Sequence, residues 1–108
     1  MISADAVKET IKVYEKHGWV LRRLSAPAAV AAELNAILAE VIISLDDFGI
    51  AWFSRPPATG AIAWELRYLG EPPYALVEHL NENSPEFESE LAAVEARLRD
   101  IILARRTA

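Results

Sequence analysis

Between Ile50 and Leu69, IAWFSRPPATGAIAWELRYL, β-forming residues recur at alternate positions on both sides of a Pro-Pro-Ala-Thr-Gly punctuation, which predicts two strands around a turn. Alternation gives Ile50 and Trp52 one face of the first strand, and Ala51, Phe53 and Arg55 the other. On the return, Ile62, Trp64, Leu66 and Tyr68 share a face, opposite Ala61, Ala63, Glu65 and Arg67. Pairing must bring like faces together, and the register with Trp52 opposite Trp64, leaving Pro56 to Gly60 as the loop, does so. The expected hairpin has a heavy aromatic face and a thin, mixed one.

The flanking patterns supply the other elements. Ser3 is placed to cap a helix that carries Val7, Ile11 and Tyr14 on one side and ends with His17 before Gly18. Lys8, Lys12 and Lys16 form a basic stripe beside that apolar side; it reads as a solvated helix face or as a docking strip for an acidic partner. Trp19 to Leu24 predicts a strand with Trp19, Leu21 and Arg23 on one face and Val20, Arg22 and Leu24 on the other, so one arginine lies on each side. Ser25 followed by Pro27 opens an alanine-rich second helix through Val30, Leu34, Ile37 and Leu38. Val41 to Ile43 is β-branched, and the Asp46-Asp47 pair after it favours a turn over a helix end, so a short strand is expected. Tyr74 to Leu80 predicts a further strand. Ser84-Pro85-Glu86 then starts a long last helix with an apolar stripe of Phe87, Leu91, Val94, Leu98 and Ile101.

The order α-β-α-β-β-β-β-α predicts an α+β fold: a mostly antiparallel sheet of about four to five strands with N-terminal, middle and long C-terminal helices packed on it. At 108 residues one domain, 1–108, is expected. Four strands about 4.8 Å apart make a sheet about 19 Å wide, with room for about two helices on one face. The third helix then crosses to the thin face, offers its stripe to a partner or packs on its own sheet; the first two routes are the expected ones and predict a homodimer through the C-terminal helix or the thin sheet face.

Composition narrows the chemistry. Apolar residues make up 53% of the chain and charged residues 25%, as in an ordinary globular protein. A formal charge of -5 argues against a nucleic-acid partner, whose phosphates require clustered Lys and Arg. With no cysteine, disulfides, thiolate catalysis and soft zinc sites are excluded. MISADAVKET lacks the basic start and apolar run of a leader, and no stretch is long and apolar enough to cross a bilayer, so a cytoplasmic protein without a membrane partner is expected.

Candidate sites are few. The four glycines stand singly at element boundaries and form no phosphate loop, and His17 and His79 lack the spacing of a metal pair. Ser54 with His79 and Glu65 or Glu78 is the only nucleophile-base arrangement on offer, without a nucleophile elbow around the serine. No catalytic residue, metal or cofactor is therefore assigned. The remaining candidate is the thinner sheet face, with Arg55, Glu65, Arg67 and Glu78 lining it and Trp52 and Tyr68 at its rim. Those residues either hold a small anionic or aromatic ligand or form a cross-strand ion-pair ladder. Two functions follow: a non-catalytic binding or protein-interaction module acting as a homodimer or, alternatively, a small enzyme or ligand sensor that uses the Arg/Glu face.

Overall fold

The computed structural model describes residues 3–38, 41–46, 48–55, 62–71 and 73–107. It has the expected α+β order: α1 (Ala4–Lys16), β1 (Val20–Ala26), α2 (Ala28–Asn35), β2 (Ile42–Leu45), β3 (Ile50–Arg55), β4 (Ile62–Tyr68), β5 (Tyr74–Leu80) and α3 (Phe87–Thr107). The five strands run β2-β1-β3-β4-β5 across one sheet. Every pair is antiparallel except β1 with β2, which is parallel and needs α2 as its crossover.

Local chemistry sets the helix ends. The Ser3 hydroxyl accepts from the Ala6 amide at 3.2 Å, as an N-cap should. At the other end of α1, Gly18 takes φ +87°, Trp19 N donates to Tyr14 O at 3.0 Å and Gly18 N donates to Glu15 O at 3.1 Å. That pair of bonds is a Schellman motif, which glycine permits without a Cβ clash. Ser25 is not the cap of α2. It lies within β1, where its buried hydroxyl donates to Phe48 O at 3.1 Å and accepts from Ile50 N at 3.0 Å, while Pro27 occupies the cap position. The second helix is also shorter than its pattern implied, ending at Asn35 and leaving Ile37 exposed. Regular α3 begins at Phe87, after Ser84 Oγ accepts from Glu86 N at 3.2 Å.

The hairpin faces agree with the alternation, but the register does not. Trp52 pairs with Leu66, and Trp64 pairs with Ser54, two residues out from the Trp52–Trp64 pairing. A two-residue slip preserves the faces, so the apolar pattern alone is satisfied by either register. The expected loop, Pro56 to Gly60, lies outside the described residues. In β1 the register shifts between Leu21 and Arg23, which makes Arg22 the extra residue of a β-bulge. Leu21 and Leu24 consequently face the same core, and the two arginines are not divided between faces. Arg22 reaches Ser54 and Glu82, and Arg23 reaches Glu88, all on the side of α3.

Helices cover both faces of the sheet. α3 lies over β4 and β5 on the aromatic face, burying Trp52, Trp64, Leu66 and Tyr68 with Phe87, Leu91, Val94 and Leu98. On the thin face α1 and α2 bury Ala51, Phe53, Leu21 and Leu24. The buried stripe of α3 closes on Ile102, not Ile101, so its steps are four, three, four and four and follow the sheet rather than a heptad seam. Both surfaces expected to carry a homodimer are thus filled by the chain itself in these regions: the α3 stripe by the sheet, and the thin face around Ala51 and Phe53 by α1 and α2. Among the described residues no helix is long and apolar enough to cross a membrane.

Candidate functional site

Because α1 and α2 sit toward the β2 side, the thin face over β4 and β5 remains partly open, with Ala63, Glu65, Arg67 and Ala75 half-buried and Val77 and His79 exposed. A groove of about 470 Å³ runs where the end of α1 meets this open half, lined by Val13, Tyr14, His17, Trp19, Arg55 and Arg67. A smaller hollow of about 200 Å³ also has Tyr14 and Arg67 in its wall, together with Glu9 and Thr10.

The aromatic wall is built from the helix end. Tyr14 stacks on Phe53 of β3 with ring centroids 4.0 Å apart and planes 9° from parallel. The Schellman turn brings Trp19 beside it, edge-on at 6.2 Å. Arg55 then lays its guanidinium over the Trp19 ring at 5.6 Å, a cation–π contact that holds the charge at the groove. From its stacked position Tyr14 donates its hydroxyl to Glu65 Oε2. Burial pushes the Glu65 carboxyl above the ordinary glutamate value, with the Arg67 guanidinium opposing the shift.

Charge is distributed unevenly between the two faces. On the aromatic side Arg22 pairs with Glu82, Arg23 with Glu88, Arg97 with Glu78, and Arg99 with both Asp46 and Glu95. Those pairs hold the Glu82 and Glu88 carboxyls below the usual range, and Asp46 is held low by the Phe48 amide and by Arg99. Arg55 and Arg67 have no such ion pair among the described residues. Two guanidiniums therefore line one groove without a salt bridge, the Glu65 carboxyl lying close enough to Arg67 to feel its charge.

Of the six residues expected at the site, three come together on this face: Arg55, Glu65 and Arg67. Glu78 does not, because Trp64 is its cross-strand partner and its side chain meets Arg97 of α3 on the opposite side. Trp52 and Tyr68 are core residues of the aromatic face and form no rim. The correction for Glu78 is one of parity: pairing Tyr68 with Tyr74 puts Tyr74, Leu76, Glu78 and Leu80 on the aromatic face. Ser54 and His79 also part company, since Ser54 is buried beside Arg22 while His79 is exposed on the thin face. Val13, Tyr14, His17 and Trp19 also line the groove and are not among those six. Their signal was present in the Tyr14-to-Trp19 spacing around His17-Gly18, because a helix closing on that glycine delivers both aromatic rings to one end.

Among the described residues no group of three or more His, Asp or Glu side chains is arranged to hold a metal ion. Comparison with known proteins found no matching family model, no matching characterised protein and no matching solved structure.

Proposed function

We propose that this protein is a non-catalytic binding module whose groove takes a small anionic ligand with a flat apolar body, an aromatic carboxylate being the simplest example. The observation that carries the reading is the presence of Arg55 and Arg67, neither ion-paired among the described residues, in one groove walled by Tyr14 and Trp19. Guanidiniums suit a carboxylate because their planar donors match its two oxygens, and the ring faces supply the apolar contact. Binding is favoured over hydrolysis by the separation of Ser54 and His79 on opposite faces of the sheet. The overall charge of -5 directs the reading toward small anions rather than nucleic acid.

Thermal-shift and calorimetric titration with benzoate and indole-3-carboxylate test it, since a ligand that binds only the folded chain raises the melting temperature. A shift is expected with both carboxylates, much reduced for benzamide and abolished by Arg55→Gln or Arg67→Gln. Equal responses to benzoate and benzamide, or a benzoate response that persists in both arginine variants, would overturn the assignment.

A further inference from the structure

The two edges of the sheet are defended differently. β5 carries Glu78, ion-paired to Arg97, and His79, and α3 lies over one of its faces. β2, Ile-Ile-Ser-Leu, has no charge, no proline and no bulge, yet Ile42 and Leu45 are 66% and 72% exposed. Natural edge strands are normally blunted by one of those devices, and an apolar edge without them is a template for another strand. From Ala28 to Leu45 the only charged residues are Glu33 and Glu40. Asp46 and Asp47 follow the strand at once, Asp46 being paired with Arg99, so β2 itself offers a second acidic copy a strand that carries no charge of its own.

Backbone geometry fixes how they meet. Asp46 N donates to Ala26 O at 3.0 Å across the parallel β1–β2 pair, so alternate residues of β2 turn their amides toward β1, and those of Ile43 and Leu45 turn outward. A two-fold axis perpendicular to the sheet keeps each face continuous, which requires the axis to pass at a residue of β2 and not between residues. With the axis at Ser44, Ile43 of each copy falls opposite Leu45 of the other, and their outward amides and carbonyls form bonded pairs. Each Leu45 then lies beside the other copy's groove of about 330 Å³ between α2 and β2, which is lined by Ala28, Ala31, Ala32, Asn35 and Ile43 besides that copy's own Leu45. The small side chains of α2 allow the flanking helices to approach.

We infer that the β2 edge receives a second copy of this chain, β2 pairing antiparallel with β2 about an axis at Ser44 to make one ten-stranded sheet. The anion groove lies elsewhere, at the end of α1, so the two assignments stand or fall separately.

Light scattering on the full chain at micromolar concentration should give twice the 12.0 kDa chain mass. Leu45→Lys should return it to the single mass with its circular dichroism unchanged, because the side chain is exposed. Ser44→Asp and Ser44→Lys each place like charges across the axis and should be monomeric alone, whereas mixing them should restore the double mass. The Ser44 pair decides the matter even if Leu45→Lys proves poorly folded. A wild-type chain at 12.0 kDa overturns the inference, even one that binds an Ile-Ile-Ser-Leu peptide, since the occupant would then be a foreign strand. A dimer that survives the Ser44 variants, or one lost in Val77→Lys and kept in Leu45→Lys, overturns it too.

Discussion

Tyr14 lies flat on Phe53, and the same ring position carries its hydroxyl to Glu65, so one side chain both seals the thin-face core and ties down a half-buried carboxylate. These roles are separable. Tyr14→Phe keeps the stack and should cost about 1.5 kcal/mol, where the ranges for neutral and charge-assisted hydrogen bonds meet. Tyr14→Ala removes the ring as well and should cost clearly more, toward the 3 kcal/mol or so seen for buried aromatics. Urea denaturation of the two variants makes the comparison; equal losses would mean that the hydroxyl does all the stabilising.

Glu65 should make the pH dependence of stability unusual. Its folded value is raised by burial, so between its ordinary and its folded value the folded chain holds a proton that the unfolded chain has released. Stability therefore falls as pH rises through that window. Glu65→Gln should match the parent in acid below the window and exceed it at pH 7, while its amide oxygen still accepts from Tyr14. Denaturation midpoints measured across the acid range check this; a variant less stable than the parent at pH 7 contradicts it.

The opposite sign applies on the other face. Glu82 is held low by Arg22, so its contribution is present above the ordinary glutamate value and is lost as pH falls through the folded one. Arg22 also bonds Ser54 and covers the Trp64 ring at 5.1 Å. Arg22→Ala should cost roughly 1 to 2 kcal/mol, summing a partly exposed ion pair and a cation–π contact. Arg22→Met keeps the apolar cover and should recover part of that loss near pH 7.

In the core, Trp64→Ala should cost about 3 to 5 kcal/mol. Trp64→Phe should cost far less, because its indole N–H is buried without a hydrogen-bond partner among the described residues and the substitution removes that donor. Along α3, Ile102→Ala should cost about 2 to 5 kcal/mol and Ile101→Ala distinctly less, since Ile102 is fully buried and Ile101 is not. Guanidinium melts of the pair locate the stripe.

How much of this was legible follows from the range of each interaction. Helix and strand boundaries at Gly18, at Tyr74 to Leu80 and at Ser84-Pro85 rest on neighbouring residues and are readable from them. The hairpin faces are readable too, because they depend only on parity. Its register is not: Trp52 opposite Leu66 and Trp52 opposite Trp64 bury the same residues. Glu78 was misplaced because its face depends on the pairing of Tyr68 with Tyr74 across a turn, and Ser25 looked like a cap because a serine before a proline does so locally. That Arg55, Glu65 and Arg67 share a face follows from the parity of one hairpin. The Gly18 turn that brings Tyr14 and Trp19 together is local, but the docking of α1 that lays Tyr14 on Phe53 is a long-range contact that no local pattern specifies.

The bulge in β1 can be restated as an insertion. Read without Arg22, the strand is Val20-Leu21-Arg23-Leu24-Ser25-Ala26, in which Leu21, Leu24 and Ala26 alternate cleanly with Val20, Arg23 and Ser25. Arg22 is thus one residue added to a strand whose phase is complete without it, and the added residue carries the guanidinium that meets Glu82 and Ser54. A chain shortened at this position should keep its sheet and its hydrophobic phase while losing that anchor to the turn before α3 and the guanidinium cover over Trp64. Residue 22 is therefore where a single-residue deletion should leave the faces in phase, whereas within the unshifted pairing of β3, β4 and β5 it would invert them.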